Sequence, residues 1–463
     1  MKHLRNYDSE PVPHFFGPMI IEHSRRLLAH ATPILLAQLI SMGMMVIDTI
    51  LLGHHSTADL AAVAVGSGIY ISIVFALAGI LQAVAPIAAQ LHGAGRHDEI
   101  AAALQQALWL ALLLAVPGVL LLTHPQPLLS LSTIDALVEE KTRQYLRALA
   151  CGLPALLFYR TFHAFCNALG HPRPLLWISL GNTALHGLLA TALVSGRWGG
   201  EPLGALGCGV SNAIVSVFAM ICALVYLRFS LALRPFRLFD NWRWPQRCSL
   251  SELLRLGLPM GCSNLIEISS FTLMALFVAP LGATALAGHR IVANLAAICY
   301  MLPLAVGIAT LAQVAQAIGG GHRRSARSSI VASLLLSSGL SMAVGGLLWW
   351  FGQPLTMLYT DDPAVWTVSL SLLGYVAVYQ IFDAVQTIAA HALRGCRVTF
   401  APMLVHLICF WGVGLFGGWW LAYHVAEPWG VAGFWFASLV SLILASVLLA
   451  GLLWQVIRSV GDH

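Results

Sequence analysis

At 463 residues, with 59% hydrophobic and only 9% charged side chains, against about 25% charged in an ordinary soluble domain, the chain is not a soluble enzyme. A mean hydropathy of +0.81 is spread from residue 27 to residue 457 and leaves no stretch for a separate aqueous domain, so the sequence describes a polytopic membrane protein. The formal charge of +5 comes from basic residues placed singly or in short loops, without the basic stripe and aromatic platforms of a nucleic-acid face, so nucleic acid is not an expected partner.

The first residues carry Lys2, Arg5, Arg25 and Arg26 but no apolar region ending in a small-residue cleavage site. Residues 1–26 therefore read as a cytoplasmic tail, and the first span is expected to persist in the mature protein. Apolar runs of about 20 residues, enough to cross the hydrocarbon, follow near 27–52, 60–91, 101–123, 145–169, 174–195 and 203–227. They make a predicted first lobe, 27–227. An Arg-rich connector, 228–251, leads to further runs near 252–279, 284–318, 328–351, 366–393, 402–423 and 430–456, a predicted second lobe over 252–456, and residues 457–463 form the second tail. The predicted fold class is an all-α integral membrane protein of twelve transmembrane helices.

The loops have a side. With the N-terminus in the cytoplasm, alternate loops hold Arg96, Arg173, the connector arginines Arg228, Arg234, Arg237, Arg243 and Arg247, and then Arg323, Arg324, Arg327, Arg394, Arg397 and Arg458; the opposite loops hold only Lys141, Arg143 and Arg197, with Arg147 at an edge. The positive-inside rule then puts both termini and the connector in the cytoplasm. The 9 cysteines are scattered, odd in number and without C-x-x-C spacing, and read as reduced packing residues.

Sliding the sequence against itself by 226 residues superimposes Leu28 on Leu254, Pro33 on Pro259, Leu60 on Leu286, Gln90 on Gln316, Gly93 on Gly319 and Gly95 on Gly321. The same shift carries Glu201-Pro202-x-Gly204-x-x-Gly207 onto Glu427-Pro428-x-Gly430-x-x-Gly433. A repeat of that length means two copies of one unit. Each copy holds an even number of spans, so both enter the membrane in the same direction, related by a pseudo-two-fold axis along the membrane normal. A cleft between such halves is where secondary transporters bind cargo and rock between two openings.

A carboxylate inside an apolar span costs about 2.5–3.5 kcal/mol on insertion scales, so one that persists is paired, protonated or functional. Three stand out. In span one, Asp48 lies below Gln38, Ser41 and Met45 at helical spacing, but only six residues from His54, a depth from which a carboxylate nearly reaches the interface. In span seven, Glu267 lies near mid-depth with Asn264 at i−3 and Ser270 at i+3, a polar stripe on an apolar cylinder. In span ten, Asp383 has Tyr379, Gln380, Gln386 and Thr387 on its face. Those oxygens suit Na+, while the carboxyl alone can take a proton, so both ions remain open. Arg290 in span eight is costly unless it snorkels or pairs, and Glu267 is its nearest plausible partner. His163, His186, His391 and His406 lack metal-ligand spacing and read as satisfied core histidines; no resident metal or cofactor is expected. Met42, Met44 and Met45 read as packing, with a soft, adaptable wall for varied ligands as the alternative.

The segments PILLAQLISMGMMVIDTILLG, STADLAAVAVGSGIY and APIAAQLHGAG in the first half, and GLPMGCSNLIEISSF, APLGATALAGHRIVAN, YMLPLAVGIATL, YQIFDAVQTIAAHALRG and PMLVHLICFWGVG in the second, resemble the multidrug and toxic compound extrusion (MATE) family, and within it the bacterial NorM-type exporters. The resemblance covers nearly the whole chain. It implies two six-helix lobes around a central cavity and export of cationic amphiphilic drugs against inward Na+ or H+, in the bacterial inner membrane, by an expected monomer. It also implies that Glu267, Tyr379 and Asp383 form a second-lobe cation site, that Asp48 is the first-lobe acid, and that Asn182 accompanies it. Gln38, Asn264, Gln380 and Met45 are candidates for the cavity wall. Two positions depart from the family pattern: His186 stands where an Asn is common, and Arg290 where a Gln is common.

Two rival functions make different demands on the residues. A flippase for lipid-linked saccharides would want a cleft lined with several cations, yet only Arg160 and Arg290 lie away from the ends of the predicted spans. An intramembrane enzyme would want a Ser-Lys pair, a metal motif or paired Asp residues, and none is evident.

Overall fold

The computed structural model describes residues 16–129, 135–196 and 201–459; Lys2, Arg5 and Arg197, used above to assign sides, lie outside them. The described residues contain 12 helices long and apolar enough to cross a membrane. They are α1 Ile20–His55, α2 Thr57–Gly93, α3 His97–Thr123, α4 Ala136–Ala168, α5 Arg173–Ser195, α6 Ala205–Phe229, α7 Arg247–Leu281, α8 Ala283–Gly319, α9 Arg323–Trp350, α10 Pro363–Gly395, α11 Phe400–Tyr423 and α12 Val431–Arg458.

A few helix starts carry side-chain caps. The Asp135 side chain accepts from Leu137 N–H at 2.9 Å at the start of α4, and Asp362 accepts from Ala364 N–H at 2.9 Å with Pro363 at the first helical position of α10. Inside α2 the helix breaks at Gln82–Ala83, four residues before Pro86, whose ring removes a donor and crowds the preceding turn. Two boundaries differ from the hydropathy reading. The first helix extends back to Phe16, so part of the predicted tail is helical, with Arg26 paired one turn on from Glu22. The fourth begins at Ala136 rather than near 145, because Arg143 pairs with Glu139 at 2.8 Å; such i,i+4 pairs support helix where apolarity is lacking.

The repeat is visible as symmetry. Gly95 and Gly321 have φ of 70° and 73°, and Gly204 and Gly430 have 53° and 55°, so the duplicated motifs make duplicated left-handed turns that favour glycine. Gly207 and Gly433 let their helices touch the backbone of the preceding one, at Val194 and Ala422 respectively.

The lobes meet toward the face that carries the start of α1 and the end of α12. There Gln90 donates to the Gly395 carbonyl at 2.9 Å, and its repeat mate Gln316 donates to the Ala168 carbonyl at 2.7 Å. A Cβ on Gly93 would stand 1.9 Å from the Gln316 carbonyl oxygen, and one on Gly319 would stand 2.0 Å from that of Gln90. Backbone touches backbone across the seam, reciprocally. Deeper in, a Cβ on Gly257 or Gly261 of α7 would come within 2.3 and 2.6 Å of the Ile80 and Ala76 carbonyl oxygens of α2. The first half of α1 lies on the second lobe, with Leu27, Ala31 and Ile34 packed among Ala305, Ala309 and Ile388.

The connector is held rather than loose. Two buried glutamines of α3 bind its main chain: Gln105 donates to the Leu238 carbonyl and accepts from Arg243 N–H, and Gln106 donates to the Trp244 carbonyl and accepts from Gln246 N–H, at 2.7–2.9 Å. Trp109 stacks on Trp244 with 5.8 Å between ring centres. A buried amide satisfied on both its N–H and C=O sides fixes a strand-like segment without a sheet.

Candidate functional site

In the second lobe, Glu267 of α7 and Tyr379 and Asp383 of α10 line one small cavity, of about 30 Å³, with Ser270, Ser438 and Ser441. Helical spacing explains why α10 supplies two of them, since residues four apart share a face. Asp383 and Tyr379 are 4% and 5% exposed. Gln386 Nε2 donates to Asp383 Oδ1 at 3.0 Å and contacts Thr387 Oγ1 at 3.0 Å, so the amide steadies one carboxylate oxygen and leaves the other free. Gln380 is buried with no partner on its Nε2. The three residues expected to act together are brought together.

Glu267 faces the Tyr300 phenol of α8, and the cation acting on it is Arg394. Arg394 is 5% exposed, and its guanidinium donates to Asn264 Oδ1 at 3.2 Å. Both corrections concern charge. Arg394, counted from sequence among the loop arginines, is buried in the last turn of α10, while Arg290, expected beside Glu267, is exposed and makes no ion pair among the described residues. The spacing held a clue: Arg394 follows Asp383 by 11 residues, three helical turns, which puts both on one face. Tyr300 had no such signal, because it stands alone in an apolar run.

In the first lobe, Asp48 is 7% exposed and turned into the bundle; its Oδ1 meets His186 Nε2 of α5 at 2.9 Å. His186 is fully buried, and its Nδ1 meets Ser211 Oγ of α6 at 3.0 Å. A carboxylate, an imidazole and a hydroxyl thus form a chain across three helices. α1 and α5 are joined here as well by Thr183, which donates to the Ile40 carbonyl at 3.1 Å. His186 is thus satisfied on both ring nitrogens. The Asn182 Oδ1 and Gln38 Oε1 atoms are buried without partners and neither is bonded to Asp48, and Met45 is 49% exposed. The other three core histidines are hydrogen-bonded: His163 to Asn167, His391 to the Thr387 carbonyl, and His406 to Ser263.

The arrangement places acids inside each lobe and a seam between the lobes, which is the geometry of a transporter. Comparison with known proteins agrees. The MatE family model matches residues 33–193 and 259–420, once in each half. The chain is 56% identical over 436 residues, 94% of each chain, to a probable multidrug resistance protein NorM of Aromatoleum aromaticum. It is 33% identical over 432 residues, covering 93% and 94%, to the multidrug resistance protein NorM of Aliivibrio fischeri. Its fold matches the crystal structure of a eukaryotic MATE transporter, AtDTX14, with a TM-score of 0.86 at 19% identity, covering 96% and 99%. With twelve spans in two parallel lobes and a family model matched in each, the chain belongs to the MatE family of membrane transporters and is a multidrug efflux protein of the NorM type.

Proposed function

We propose that the chain is a secondary active antiporter that exports cationic amphiphilic drugs against an inward flow of Na+ or H+, as a monomer in a bacterial inner membrane with both termini in the cytoplasm. The observation that carries this reading is the shared cavity of Glu267, Tyr379 and Asp383. Its volume of about 30 Å³ is close to the ~30 Å³ share of one water in the liquid, which suits a small cation and excludes a drug. Two ionised carboxylates in such a space repel, and low polarity magnifies the repulsion. A Na+ or a proton relieves it, so the lobes occlude the loaded site at lower cost than the empty one.

In this reading a drug cation bound in the cleft competes with the coupling ion for the same negative charge, so exchange is favoured over leak. The first-lobe chain contributes separately. His186 already occupies one oxygen of Asp48, and Na+ wants several oxygens, so that lobe suits a proton shared between carboxylate and imidazole. With the arginine-rich loops inside, the closed seam at Gln90 and Gln316 is the cytoplasmic seal, and the cleft opens outward.

The test uses purified protein in liposomes. Ethidium movement is followed after a Na+ jump and, separately, after a pH jump. Glu267→Gln and Asp383→Asn are expected to abolish drug movement while leaving insertion intact; normal export by both variants refutes the proposal.

A further inference from the structure

A second cavity, larger than the carboxylate site, lies apart from it. It lies at the terminus-bearing face, has a volume of about 1240 Å³ and straddles the seam between the lobes. Beside the neutral Gln313, Gln316, Ser325 and Ser329, its lining carries the imidazoles of His23, His30, His171 and His322 and the guanidiniums of Arg26 and Arg173. No Asp or Glu lines it. The nearest acid accounted for is Glu22, already paired with Arg26, whereas Arg173 has no ion pair among the described residues. The His30 Nε2 atom is buried without a partner in this lining.

The cavity also has an apolar side. Trp177, Ile221 and Val225 belong to its wall and are 69%, 50% and 52% exposed, so α5 and α6 present it to the surrounding lipid at the level of the helix ends. An exposed Trp at that level is what the membrane interface favours. The unpaired guanidinium of Arg173 disfavours a cationic drug, and a soluble anion would have no use for the apolar wall. An amphiphile with an anionic head fits both sides.

We propose that this cavity binds the phosphate of an anionic glycerophospholipid drawn from the adjoining leaflet, its head between Arg173, Arg26 and the imidazoles and its chains along Trp177 and Val225. Basic pockets between transmembrane helices on the cytoplasmic side take such heads by the same electrostatics. The head bridges the lobes. Arg173 and His171 come from the first lobe, and His322 comes from the α8–α9 turn of the second. Burial holds His171 below the usual imidazole range, so the empty cavity relies on its guanidiniums for standing charge, and a bound phosphate favours the protonated imidazole as well.

The full chain, delipidated in neutral detergent, is titrated by native mass spectrometry with phosphatidylglycerol, phosphatidylcholine and inorganic phosphate in separate arms. Phosphatidylglycerol is expected to bind saturably, about tenfold or more tighter than phosphatidylcholine, and to resist displacement by equimolar inorganic phosphate. Arg173→Gln lowers that affinity about fivefold, the effect of one interfacial charge; Arg173→Lys restores most of it. Arg324→Gln, which removes an exposed arginine of the same face outside the cavity, leaves it unchanged. Equal binding of the two lipids, displacement by inorganic phosphate, or an equal loss in Arg324→Gln each overturns the assignment. Drug export by the same preparations reports on the antiport reading independently, since none of these residues lines the carboxylate cavity.

Discussion

Substituting Gly93 by Ala tests whether the terminus-face seam is a seal that opens during transport. The new methyl carbon would stand 1.9 Å from the Gln316 carbonyl oxygen, where ordinary contact begins near 3.4 Å. The ends of α2 and α8 must therefore part by about 1.5 Å, because a helix carbonyl cannot turn aside as a side chain can. Overpacking of this kind costs about 1–3 kcal/mol. Only the state with the seam closed bears the cost, so the balance between closed and open seam shifts about 5- to 150-fold toward open. Spin labels at Asp98 and Arg324, both exposed on the first turns of α3 and α9, report the change as a longer distance population in double electron–electron resonance. Export should slow with it. Gly319→Ala should act alike, and the double variant should do less than the sum, because the first methyl has already parted the helices the second would strike. Gly339→Ala, with nothing within 4 Å, is the control. Distance distributions and export unchanged in both single variants would refute the idea that this seam is the moving seal.

His186→Ala removes the hydrogen-bond partner of both Asp48 and Ser211, and should lower stability by about 1–3 kcal/mol, read as a reduced midpoint in a fluorescence thermal melt. Arg394→Gln is expected to impair export severely, whereas Arg290→Gln should leave it near wild type; an equal loss in both would restore Arg290 to the site. At the opposite face, Asp59 is 2% exposed, pairs with Lys141 at 2.8 Å and accepts from Ala205 N–H at 3.0 Å. Asp59→Asn should cost about 1–3 kcal/mol of stability, seen as a lower melting midpoint without a change in ion preference.

What hydropathy and repetition reveal is anything that depends on one helix at a time. The spans are legible because crossing lipid demands length, and Tyr379 and Asp383 are legible as a pair because four residues return to one face. The offset of 226 also located Gln90 and Gln316, though not that each would reach into the other half. Contacts between helices are a different matter, since rotation and tilt are set by packing rather than by the apolar count. Hence Asp48 read as near the interface but is turned onto His186, and Lys141 read as a loop cation but closes on Asp59. Arg394 was misassigned for a related reason: the last turn of a span resembles a loop in any hydropathy window, although its side chain points back into the bundle.

The duplicated glycines and glutamines make the joint between the halves nearly identical on its two sides, whereas the acids they serve are unlike: a carboxylate–imidazole–hydroxyl chain in one half, two carboxylates and a phenol in the other. In the antiport cycle proposed above, an ion captured on either arm loads a balanced pivot unevenly. Selection can retune the affinity of one arm without touching the bearing, and a change in the bearing is felt by both arms at once.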